Sequence, residues 1–185
     1  MRSVAIMVVG SAWLVSCTPD RSIDRPDGCQ VMLDPELYEH ACQHGVNGPF
    51  SPALAAARLD DAVAPVNAAQ RALEVTLPGL VDDDLTSYLR YRPTRDGRHA
   101  AFAGVSGQGV PIEFLRGHTR VESTAVVPVD DALACGGMRD VTGVDLIEGE
   151  DYVIAIGPTR SDHIVLFIEH VDTFGGEDWD LQCPG

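Results

Sequence analysis

Between residues 71 and 171 the chain is broken into short runs of alternating apolar and polar residues, with turn-forming residues roughly every 8 to 12 positions. Arg71 to Leu77 sets the pattern: Leu73, Val75 and Leu77 fall on one face, Glu74 and Thr76 on the other. Such a run buries one side and wets the other. Seven more follow, at Thr86–Tyr91, His99–Val105, Val110–Leu115, Thr119–Val127, Val141–Ile147, Asp151–Ile156 and Ile164–Val171. Parallel neighbours need a crossover of about a dozen residues or more, usually helical, and no helical period separates these runs. The pattern therefore predicts an all-β antiparallel β-sandwich, jelly-roll-like, of about eight strands, preceded by a short helical segment. Asp96-Gly97 predicts a hairpin joining the runs that flank it. Glu148-Gly149-Glu150 and Gly157-Pro158-Thr159-Arg160 are expected as turns.

The helical segment is read from Asp34-Pro35 through Gly45. Asp34 suits the N-cap, Pro35 the first helical position and Gly45 the C-terminal cap, which predicts a helix over about 35–44. Ser51-Pro52 and the alanines after it fit either a second helix or an extended arm leading to Pro65. Residues 18–28 are polar and aperiodic; as a coil they span roughly 18 Å. The expected divisions are 1–16, 17–28 as a tether, 29–70 as a helical or extended arm, and 71–185 as the sandwich with a C-terminal tail.

Residues 1–17 carry one positive charge, Arg2, then an uncharged run from Ser3 to Ser16. The run falls short of the roughly 20 apolar residues of a spanning helix and has the layout of a signal peptide. It closes on Leu14-Val15-Ser16-Cys17, which resembles the lipobox of bacterial lipoproteins. The resemblance implies a thioether lipid on Cys17, cleavage before it, acylation of the new amino terminus and membrane attachment through lipid. Thr18, rather than Asp, follows the cysteine and favours the outer membrane.

Cys29, Cys42, Cys135 and Cys183 remain, an even number in an exported chain, which predicts disulfides. The expected pairs are Cys42 with Cys135 and Cys29 with Cys183, each closing a long loop worth roughly 4 to 5 kcal/mol in the chain-entropy picture.

The stretch Leu146-Ile147-Glu148-Gly149-Glu150-Asp151-Tyr152-Val153-Ile154-Ala155-Ile156 is similar to the "strand, Gly turn, Tyr, strand" ending of pre-peptidase C-terminal-type domains. The resemblance implies a β-sandwich accessory module for binding or stability, not catalysis, across about residues 71–171.

Charge narrows the partners. Against 28 Asp and Glu stand 13 basic residues, all Arg and scattered, for a formal charge of −15. Such a surface repels a phosphate backbone, and no nucleic acid is expected as partner. Glu36, His40 and His44 lie at i, i+4 and i+8, one stripe of a helix on which two histidines share Zn²⁺ or Cu²⁺. No Glu follows His40, so the general base of an HExxH enzyme is missing. The bland reading of this stripe is a set of surface side chains around a disulfide-bonded Cys42. Asp60-Asp61 and Asp82-Asp83-Asp84 lack the glycine and spacing of a calcium loop and read as solvated turns. Trp179 reads as packing near the end. Ser106 and Ser161 lie outside a GxSxG elbow, and Ser161, Asp162 and His163 are too close in sequence to converge as a triad. His99, His118, His163 and His170 read as rim or cross-strand residues. No catalytic constellation emerges and no enzyme is expected. The expectation is a lipid-anchored envelope protein with a binding or structural role, a metal-binding protein being the alternative.

Overall fold

The computed structural model describes residues 30–31, 35–62, 64–67, 70–78, 85–105, 108–128, 138–171 and 181–182. Strands form where period two operates. The chain runs through β1 (Gln30–Val31), α1 (Pro35–Asn47), β2 (Phe50–Leu54), a 3-10 turn at Leu59–Asp61, β3 (Ala72–Thr76), β4 (Leu85–Tyr91) and β5 (Gly97–Val105). It continues through β6 (Gln108–Gly109), β7 (Ile112–Arg116), β8 (Thr119–Arg120), β9 (Ser123–Pro128), β10 (Met138–Leu146), β11 (Tyr152–Thr159), β12 (His163–His170) and β13 (Leu181–Gln182). Each of the eight expected runs carries a strand; β1, β2, β6 and β13 are additions.

Two sheets stack. The larger has the order β2-β3-β12-β5-β10-β9, with β6 folded against β5; the smaller is β4-β11-β7-β8. A separate two-stranded ladder joins β1 to β13. Between the sheets lie Leu73, Val75, Ala101, Ala103, Val144, Leu146, Ile164, Leu166 and Ile168 from one side, and Leu89, Tyr91, Ile112, Phe114, Tyr152, Ile154 and Ile156 from the other. These are the alternate residues of each strand, as sheet geometry requires.

The opposite face of the large sheet is also dry. There α1 lays Leu37, Tyr38 and Ala41 over Ala72, Ala100, Phe102, Met138, Val141 and Phe167. That second layer makes His99–Gly104 buried on both faces, giving β5 a continuous buried run in place of alternation. The architecture is an all-β sandwich with one helix packed outside it.

Several expectations need correcting. The runs flanking Asp96-Gly97 are not a hairpin: β4 pairs with β11 and β5 with β12 and β10, in different sheets. A type I′ hairpin turn needs positive φ at both central residues, and only Gly97, at +109°, has it. Asp96 instead accepts a hydrogen bond from the Glu148 amide on its Oδ1 at 2.6 Å. Thr119–Val127 is two strands, not one: β8 stays with β7 while β9 joins β10 in the other sheet. The helix continues past Gly45 to Asn47, and the residue that ends it is Gly48, at φ +74°, with its amide donating to the His44 carbonyl at 2.9 Å. Residues 50–54 are extended, and β2 lies parallel to β3, the exception among the described ladders, which otherwise run antiparallel. Gly157-Pro158-Thr159 belongs to β11, whose register shifts between Ile156 and Thr159.

The Gly149 turn behaves as expected. Gly149 adopts φ +74°, and Tyr152 sends its hydroxyl back to accept from the Ile147 amide at 3.1 Å. This knot passes the chain from β10 to β11, across the sandwich.

Candidate functional site

His40 and His44, one turn apart on α1 and each one residue before a buried position, Ala41 and Gly45, reach down onto the end of β12. Their ring centroids are 4.6 Å apart and edge-on. The His44 ring lies flat on Phe167, at 4.9 Å and 9°, and His40 Nε2 stands 3.6 Å from Oε2 of Glu169. Glu36, one turn earlier, is exposed; the carboxylate beside the imidazoles comes from β12.

Glu169 is the unusual residue. It is only 6% exposed, its Oε1 accepts from the His170 amide at 3.3 Å, and Oε2 is buried with no hydrogen-bond partner. Burial pushes its carboxyl above the ordinary carboxylate range, against the lowering influence of the His170 amide, His44, His170 and Arg95. Burial likewise lowers His40, and lowers His44 with help from the charge of His40, while Glu169 and the Gly48 backbone act in the opposite sense. The imidazoles are thus biased toward the neutral form. His44 Nδ1 is also buried without a hydrogen-bond partner.

On its other side Glu169 borders a cavity of about 290 Å³ shared with Gln70, Tyr91, Arg95, His99 and His170. His99 and His170 are register partners across β5 and β12, with rings 5.1 Å apart. His99 Nδ1 lies 2.9 Å from the Gly97 carbonyl, and His170 Nε2 lies 2.6 Å from the Asp96 carbonyl. A carbonyl only accepts, so His99 Nδ1 and His170 Nε2 each carry a proton and donate it to these carbonyls. Burial, and next the charge of Glu169, push the Tyr91 phenol well above its ordinary value.

Sequence reading saw His40 and His44 but missed Glu169 and the His99–His170 pair. A signal existed: Glu169 is the lone acid at the end of the apolar run Ile164 to Ile168. Partners on other elements carry no sequence spacing to betray them.

The remaining expected sites are placed as follows. Asp60 and Asp61 are exposed, near His118 at 3.9 Å and Arg58 at 3.9 Å respectively. The Ser161 hydroxyl donates to the main-chain carbonyl of His163 at 2.5 Å, while the His163 ring turns to Asp162 at 2.6 Å; the three do not converge. Cys42 is disulfide-bonded and half-buried beside the helix-covered core. Cys17, Cys29, Cys135, Cys183, Asp82 to Asp84, Ser106 and Trp179 lie outside the described residues. Among the described residues no three His, Cys, Asp or Glu side chains stand closed around one point as a metal ion requires, and no helix is long and apolar enough to cross a membrane.

No family model matches the chain, and no curated protein matches it either.

Proposed function

We propose that this is a lipid-anchored envelope protein, held at the outer membrane through Cys17, with a non-enzymatic binding or structural role. The observation that carries the reading is the uncharged run from Ser3 to Ser16 closing on Leu14-Val15-Ser16-Cys17. Its likeness to pre-peptidase C-terminal-type accessory modules, and a sandwich whose large sheet is covered on both faces, support binding at rims and seams in preference to an open catalytic sheet. Mass spectrometry of the N-terminal peptide from membranes tests the anchor. The expected species begins at Cys17 and carries a diacylglyceryl thioether and an N-acyl chain, and Cys17→Ser leaves an uncleaved precursor. An unmodified amino terminus elsewhere in the wild type overturns the reading.

A second reading, a Zn²⁺- or Cu²⁺-binding envelope protein, is favoured by one specific observation: α1 sets two imidazoles 4.6 Å apart beside a buried carboxylate.

A further inference from the structure

We propose that His40, His44 and Glu169 form a single two-histidine, one-carboxylate site for Zn²⁺ or Cu²⁺ that clamps α1 to β12. This deepens the metal-binding reading and rests on it. The 3.6 Å from His40 Nε2 to Glu169 Oε2 is too long for a hydrogen bond. Two donors held about 2.0–2.1 Å from one tetrahedral ion, however, stand roughly 3.3 to 3.4 Å apart, so this pair is already spaced close to what a shared ion imposes.

Two further atoms point the same way. Glu169 Oε2 and His44 Nδ1 are both buried and both lack a hydrogen-bond partner, and orphaned buried polar atoms are costly; a metal ion satisfies both at once, with His44 in the tautomer that leaves Nδ1 unprotonated. Glu169 is 6% exposed, so its carboxylate has no easy recourse to solvent. The donor set, imidazole with one carboxylate, suits Zn²⁺ and Cu²⁺ better than Ca²⁺ or Mg²⁺. Because no three donors yet close on one point, the ion must draw the His44 ring off the face of Phe167 to complete the set. Glu36 is outside this site.

The test uses the full chain, exported to an oxidising compartment and purified in detergent. Isothermal titration with Zn²⁺, and separately with Cu²⁺, is run without reductant on the wild type and on His40→Ala, His44→Ala, Glu169→Gln and Glu36→Gln. One ion per chain is expected, with affinity falling by more than about tenfold, the scale on which even outer-shell partners act, in the first three variants and unchanged in Glu36→Gln. Cu²⁺-loaded wild type should show electron paramagnetic resonance couplings from two imidazole nitrogens, a readout that needs no variant to fold. If His40→Ala and His44→Ala weaken binding while a folded Glu169→Gln keeps it, the ligand set is wrong and the metal reading stands. If the wild type binds neither ion stoichiometrically, both fall.

Discussion

Phe102 is fully buried, tilted 45° against both Tyr38 and Phe167 at 6.3 Å, and so joins the helix to the sheet. Phe102→Ala should lower the unfolding free energy by about 3–5 kcal/mol, read by urea denaturation. Tyr91 supplies the pH dependence. Its folded-state pKa is raised above the ordinary 10.0, so the stability it contributes is fully present below pH 10 and is lost as pH rises beyond that towards the folded value. Melting temperatures measured above pH 10 should fall more steeply in the wild type than in Tyr91→Phe, and parallel slopes would refute the assignment. At this scale the sequence was legible where a residue's role depended on its own neighbours. Leu73 and Val75 announce a buried face, and His40 and His44 announce one stripe. Glu169 was not legible because its meaning depends on a helix about 130 positions earlier in the chain, brought over it by packing alone.

Helix α1 illustrates how an element's boundary is set by what it touches. Gly45 looks like a cap in sequence, yet it lies inside the helix, where an added Cβ would collide with the Met138 side chain. Gly45→Ala gains helix propensity of about 1 kcal/mol, but overpacking against a fully buried Met138 typically costs about 1–3 kcal/mol. The variant should be less stable than the wild type by thermal unfolding, and Met138→Ala should cost less in the Gly45→Ala chain than in the wild type, the double-mutant cycle isolating the clash. Strand positions were legible from alternation, because half-burial imposes period two; strand partners were not, because alternation is blind to which of two sheets a run joins. Asp96-Gly97 shows the cost of reading a turn locally, since its carbonyl and carboxylate serve His170 and Glu148 in place of a hairpin. Strands β1 and β13 allow a covalent prediction. They run antiparallel with Gln30 opposite Gln182 and Val31 opposite Leu181, so the residues next in sequence to Cys29 and Cys183 are partners. Peptide mapping without reduction should recover Cys29 linked to Cys183 and Cys42 linked to Cys135; a Cys42–Cys183 peptide would break this pairing.

For the molecule as a whole, the sandwich was legible and its third layer was not. Eight runs with turn residues between them left few alternatives to two packed sheets, whereas the docking of the predicted helix on the large sheet shows in sequence only as the unbroken apolar texture of Ala100 to Ala103 and Ile164 to Ile168. Double coverage has a measurable effect. Amides of β5 and β12, central in the sheet and dry on both faces, should exchange with deuterium slowest, and those of the edge strand β2 and the two-residue β8 fastest; equal protection would contradict the layering. The β1–β13 ladder also decides how the protein can be tagged. The described chain starts and finishes side by side, so probes at Gln30 and Gln182 report on one spot of the molecule and stay about 5 Å apart for as long as the fold holds.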